Sequence, residues 1–285
     1  ANVVELSFLT NDHLIVGVTD YRRTKVGRDQ FIFNIKKNKK IKLNWGAQVS
    51  ANSFSRGWMR DLFRGNIPIY GIDENSAKLA MGQFDKFLST ALYLADLETG
   101  KSSLLERGTR QTLSWMVDRE NNPLIRIDRD EDNNKINFFV KKNKWQFLIT
   151  LEDMWDIRWS LSENQDKLHI LGGKLDFSSV LLVSLADGST ETSLFADMDR
   201  DASNFVNNRN DQILGVVYGG LKPYTRFIDA KVNSAFERLS KSFPGSELGY
   251  VSGEDSLEKI IVSISGENSA FDYFLFNTST LSLTR

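Results

Sequence analysis

The hydrophobic positions of this chain recur with a long period. Six times an aromatic residue is followed by a polar turn and then by an apolar run. The aromatics are Phe8, Tyr70, Trp115, Trp159, Phe205 and Tyr250, at intervals of 62, 45, 44, 46 and 45 residues. The turns fall at Asn11-Asp12, Asp73-Glu74-Asn75, 118–122, 162–166, 207–211 and 252–256. The apolar runs begin at Leu14, Leu79, Leu124, Leu168, Ile213 and Ile260. A further strand follows in each unit, centred on Ile32, Tyr93, Phe138, Leu181, Phe227 and Phe274, at intervals of 61, 45, 43, 46 and 47. Two independent anchors with one period identify a repeat architecture.

In most units a second polar turn leads into a fourth strand, as in the stretch 94–101. Four antiparallel strands in about 40–50 residues describe a β-propeller blade. The expected fold is therefore all-β, a β-propeller with six four-stranded antiparallel blades visible in one domain spanning 1–285. The blades lie near 1–45, 67–108, 111–151, 155–196, 202–244 and 246–285.

Two segments interrupt the repeat. The first, 46–66, places Phe54, Trp58, Leu62 and Phe63 near one helical stripe, with Arg56, Arg60 and Arg64 off it. Trp58, Leu62 and Phe63 are candidates for docking another domain; the alternative is a plain cover for a blade edge. The second is a helix over 229–243. Asp229 can cap it, Val232, Phe236 and Leu239 recur at helical spacing, and Pro244-Gly245 stops it. The helix too is a candidate for an uncovered apolar docking patch. Phe8, Tyr70, Trp115, Trp159, Phe205 and Tyr250 read as structural blade aromatics, and the last five are expected to be largely buried between blades.

Composition narrows the function classes. The 285 residues are 41% hydrophobic and 26% charged, enough apolar side chain for a large core. No run of 18 apolar residues spans a membrane. A net charge of −1 supplies no field for nucleic acid. The absence of cysteine excludes disulfides and thiolate metal sites, and it fits cytoplasm or periplasm equally. Ala1 begins directly on a strand-like segment, so any signal peptide is absent from this chain.

A catalytic set is not visible. The nucleophile elbow Gly-x-Ser-x-Gly does not occur; in Gly245-Ser246-Glu247-Leu248-Gly249 the serine stands one place early. The two histidines, His13 and His169, read as structural strand residues. Asp128, Asp130 and Asp132 alternate, as do Asp197, Asp199 and Asp201, but neither stretch has the glycine and glutamate of an EF-hand loop. Both read as solvated turns. No Gly-rich phosphate loop is present, and no cofactor is expected. The lysine runs 36–40 and 141–144 read as guards against edge-to-edge pairing.

The stretch from Ile213 to Arg285 carries a family resemblance. Ile213-Leu214-Gly215-Val216-Val217-Tyr218, Phe227-Ile228-Asp229, the helix, Phe243-Pro244-Gly245, 261–265 and 272–276 resemble the last blades of a propeller in the prolyl oligopeptidase family. The subgroup it looks like is the acylaminoacyl-peptidase or dipeptidyl-aminopeptidase-like enzymes. The resemblance implies a serine peptidase parent in which this propeller precedes a C-terminal α/β-hydrolase domain holding the nucleophile, and peptide substrates pass the propeller. On that reading this chain alone is no enzyme, and it carries no residue of the triad. The family's usual seven blades leave one to be sought upstream of Ala1 or in incomplete form. No Glu-Glu pair occurs, unlike in the dipeptidyl-peptidase members. Two other readings remain: a stand-alone binding propeller, and a propeller enzyme with a metal in its central channel.

Overall fold

In the computed structural model the described residues are 2–20, 27–42, 69–73, 75–84, 90–152, 157–171, 180–192, 200–208, 212–220, 223–254, 256–266 and 269–285. They build six antiparallel sheets, each a meander in chain order. The first contains Asn2–Thr10, His13–Asp20, Gly27–Asn34 and Lys39–Ile41. The second contains Ile69–Asp73, Lys78–Phe84, Thr90–Asp96 and Ser102–Glu106. Thr112–Val117, Pro123–Asp130, Lys135–Lys141 and Trp145–Glu152 make the third. The fourth runs through Arg158–Leu161, Lys167–Leu171, Leu181–Ser184 and Thr190–Thr192. The fifth has only Ala202–Asn207, Ile213–Tyr218 and Tyr224–Phe227. Glu247–Gly253, Lys259–Gly266, Ser269–Asn277 and Ser282–Thr284 form the sixth. The chain divides into two compact units, 1–150 and 151–285.

Side-chain alternation sets how the sheets stack. In the first unit Leu79 and Met81 meet Leu9, Ile15, Ile32 and Ile41 of the first sheet. Ala80, between them in sequence, faces the other way, toward Trp115 and Val117 of the third sheet. A strand buried on both faces reads as a continuous apolar run, and Leu79-Ala80-Met81 is fully buried throughout. In the second unit Leu171 and Val180 pack on Ala202, Phe205 and Val216 of the fifth sheet. Val206 and Phe227 then join Leu248, Ile260, Val262 and Phe276 of the sixth.

The hairpins are closed by carboxylates. The Asp96 carboxylate accepts the backbone N–H of Glu98 at 3.0 Å and of Thr99 at 2.7 Å. Gly100 then turns with φ 72°. A Cβ there would lie 2.2 Å from the Lys42 carbonyl oxygen, so no other residue fits this close approach between the first and second sheets. Asp187 closes a similar turn with Gly188 at φ 76°; the backbone N–H of Ser189 is the foremost cause holding its carboxyl down at about 2.

Helix α1, Ala230–Ser242, stands where the fifth sheet lacks a fourth strand. Asp229 caps it by accepting from the N–H groups of Lys231 and Val232. Val232, Ala235, Phe236 and Leu239 are buried against the fifth and sixth sheets. Asn233 Oδ1 accepts the backbone N–H of Phe227 at 3.0 Å, a bond to the fifth sheet's last strand that no further strand makes. Phe227 also packs edge-on against Phe236 and Tyr250.

Each of the six anchor aromatics lies in the first strand of its sheet, two or three residues before the strand ends. Trp115 is 1% exposed and donates its indole N–H to the Thr90 carbonyl at 3.0 Å. Tyr70 and Phe205 are buried, Trp159 and Tyr250 half-buried. A bulge between Ile69 and Gly71 carries Tyr70 into the cluster with Trp115. Phe8 differs from the other five: it is 61% exposed. It lies on the face of the first sheet opposite Leu9, and among the described residues of its unit no sheet packs on that face.

This difference is measurable. Trp115→Ala should lower the unfolding free energy by about 3–5 kcal/mol in chemical denaturation, as for large buried aromatics. Phe8→Ala should cost about 1 kcal/mol or less. Equal losses would contradict the burial described here.

Candidate functional site

Polar side chains inside the sheets are the places where chemistry could reside. The first lies in the third sheet. Arg126 Nε reaches Asp128 Oδ1 and Oδ2 at 3.0 and 3.1 Å, and its Nη2 reaches Oδ2 at 2.9 Å. Thr112 Oγ1 donates to Asp128 Oδ1 at 2.8 Å. The guanidinium lies over the Phe139 ring at 4.5 Å and the Trp145 ring at 5.2 Å. Asp128 is 3% exposed and sits within a strand, which corrects the expectation of a solvated turn. The signal was available two positions away: Arg126 and Asp128 share a sheet face by strand periodicity. Asp130 fits the turn reading and accepts from Asn133. Asp201 is exposed, while Asp197 and Asp199 lie outside the described residues. Among the described residues no three His, Asp or Glu side chains converge as metal ligands.

The second place is between the fourth and fifth sheets. His169 pairs across the strands with Ser160 and is 7% exposed. Ser160 Oγ donates to Asn207 Oδ1 at 2.9 Å. A nucleophile needs its hydroxyl directed at a base, and here it is directed at an amide. The Nδ1 of His169 is buried without a hydrogen-bond partner. Burial pushes the imidazole down to about 4, with the charge of Lys167 adding and that of Asp166 opposing. This is a neutral structural histidine, as its strand position suggested.

The third is a shallow open groove between α1 and the last hairpin of the sixth sheet. Lys231, Ser234, Arg238, Thr278 and Ser279 line it. Because the apolar residues of α1 are turned into the core, the helix offers solvent a polar face; it is not the apolar docking patch expected of it. Exposed apolar residues occur instead on the sixth sheet, at Ile261, Tyr273 and Leu275. The docking candidates Trp58, Leu62 and Phe63 lie outside the described residues. The lysine runs do fall at turns between third and fourth strands. Two of them reach the second sheet: Lys37 pairs with Glu98, and Lys141 with Glu106 at 2.7 Å.

No protein-family model matches the sequence, and no curated protein does either. Solved structures do. The β-propeller domain of the Trilobed protease from Pyrococcus furiosus matches 96% of this chain and 82% of its own, with a TM-score of 0.58 at 14% identity. The chain is a β-propeller. It also superposes on the acylaminoacyl peptidase of Pyrococcus horikoshii, covering 96% of this propeller and 44% of that protein, TM-score 0.56, 13% identity. Prolyl oligopeptidase B from Galerina marginata, bound to a 25mer macrocyclization substrate, is covered to 42% by 99% of this propeller, TM-score 0.56, 11% identity. The propeller thus spans less than half the length of the two peptidases it matches.

The buried imidazole makes this propeller acid-sensitive. With His169 at about 4 when folded, against an ordinary value of 6.5, the unfolded chain binds a proton that the folded chain refuses. Its contribution is fully present above about pH 6.5 and is lost as pH falls toward about 4, a change of about 3 kcal/mol over that window. Denaturation of parent and His169→Gln at a series of pH values checks this: the parent should lose stability more steeply over that window. Parallel slopes would refute it.

Proposed function

We propose that this chain is the non-catalytic propeller domain of a prolyl-oligopeptidase-like serine peptidase. It caps the active site of a C-terminal α/β-hydrolase domain and admits peptides while excluding folded proteins. The observation that carries this reading is the extent of the match to peptidase propellers: nearly the whole chain aligns with less than half of each enzyme and with most of an isolated propeller domain. Ser160 is committed to Asn207, His169 is buried and neutral, and no elbow sequence exists.

The physical case for gating rests on rigidity. Sheets buried on both faces are costly to separate, so a stack of them can narrow an entrance without supplying a reactive group. Selection by size then needs no specific contact with the peptide. The bonds broken would be chosen by the hydrolase domain, and the propeller would decide which chains arrive there.

Three measurements test the proposal. The open reading frame beyond codon 285 should encode a further segment with Gly-x-Ser-x-Gly, and the isolated propeller should not turn over peptide p-nitroanilides. Removal of the propeller from the full protein should let the remaining enzyme attack large unfolded or folded proteins that the intact enzyme spares. A stop codon at that place, or unchanged size selectivity after removal, would overturn the proposal.

A further inference from the structure

His13 opens the second strand of the first sheet and is buried. Its Nδ1 lies 2.9 Å from Thr10 Oγ1, and its Nε2 lies 3.0 Å from Asn34 Nδ2 and 3.4 Å from Glu98 Oε1. The orientation of the Asn34 amide decides what these contacts mean. Asn34 Oδ1 accepts the Lys37 backbone N–H at 2.8 Å, so the amide atom turned to the ring is the nitrogen, which can only donate. One of its hydrogens is directed at Nε2 and the other at Glu98 Oε1, 3.2 Å away. Nε2 therefore presents a lone pair. The neutral ring carries its proton on Nδ1 and donates it to Thr10 Oγ1, which also accepts the Asp12 N–H at 3.2 Å.

A second proton on this ring must go to Nε2, facing a nitrogen that also donates. Two donors cannot share that line. The acceptor within reach is Glu98 Oε1, on the turn that follows the third strand of the second sheet. The charged group beside the ring is Glu98, on which Lys37 of the first sheet and Asp96 of the second act in turn. The Lys37 ammonium, hydrogen-bonded to Glu98, is the foremost cause holding that carboxyl below its ordinary value, so an anion stands ready.

We infer that His13 is a proton-driven latch between the first two sheets. Neutral, it is held by Asn34 within its own sheet. Protonated, it releases Asn34 and bonds Oε1 of Glu98 in the neighbouring sheet, the oxygen that Asn34 Nδ2 otherwise reaches, while Lys37 holds Oε2. The turn over 97–100 is the part that responds, because it carries Glu98. The latch stands whether or not the peptidase reading does.

The test is a titration of the whole chain followed by imidazole 15N NMR, with the Asn34 side-chain NH2 and the backbone amides of 97–100 observed in parallel. At high pH the ring should be the Nδ1–H tautomer. On acidification Nε2 should gain its proton, and the Asn34 and 97–100 signals should shift with the same midpoint. In Glu98→Gln the 97–100 response should be largely lost. An Nε2–H tautomer in the neutral ring, or 97–100 signals indifferent to the His13 titration, would overturn the latch. So would a 97–100 response that persists in Glu98→Gln.

Discussion

Everything in this propeller depends on the two-faced burial of its strands. A sheet with one apolar face can rest on a single neighbour; a blade must satisfy two, and period-two alternation forces consecutive residues to serve opposite sides. The run Leu79-Ala80-Met81 shows the demand in three residues, with the small alanine placed where the bulky Trp115 crosses. A one-residue slip of that strand would exchange the alanine and its neighbours between faces and leave Trp115 without its space. Register and packing are thus the same constraint here, and the turns serve it by fixing where each strand begins.

The turns and buried polar groups follow from that constraint. Once both faces are dry, each polar side chain must find its partner inside the stack. Asp128 does so with Arg126 and Thr112, and Ser160 with Asn207 of the next sheet. His169 finds none for its Nδ1 and stays neutral instead. These are two answers to one cost, and they explain why polar residues at sheet interfaces are poor guides to catalysis in this chain.

Much of the fold was legible in the sequence because it repeats. All six third-strand centres, Ile32 through Phe274, fall within strands of the structure, and α1 lies inside the 229–243 segment read from its caps and spacing. The polar interior was less legible because its partners come from other strands, or, for Ser160 and Asn207, from the next sheet. Asp128 looked like one member of an acidic turn, and its pairing depended on Arg126 being locked over Phe139 and Trp145. Phe8 occupies the anchor position and is nevertheless exposed, so position in a repeat does not by itself fix burial.

The bond from Phe227 to Asn233 has a wider implication. A blade normally ends by lending its third strand to a fourth, and an unfinished edge can recruit a strand from another chain. Here one carboxamide on a helix stands in for the missing backbone carbonyl, so this blade can close without its last strand. Such a stopper separates the length of a blade from its integrity. Sequence drift could lengthen, shorten or replace the outermost layer at this point without exposing the protein to misassembly.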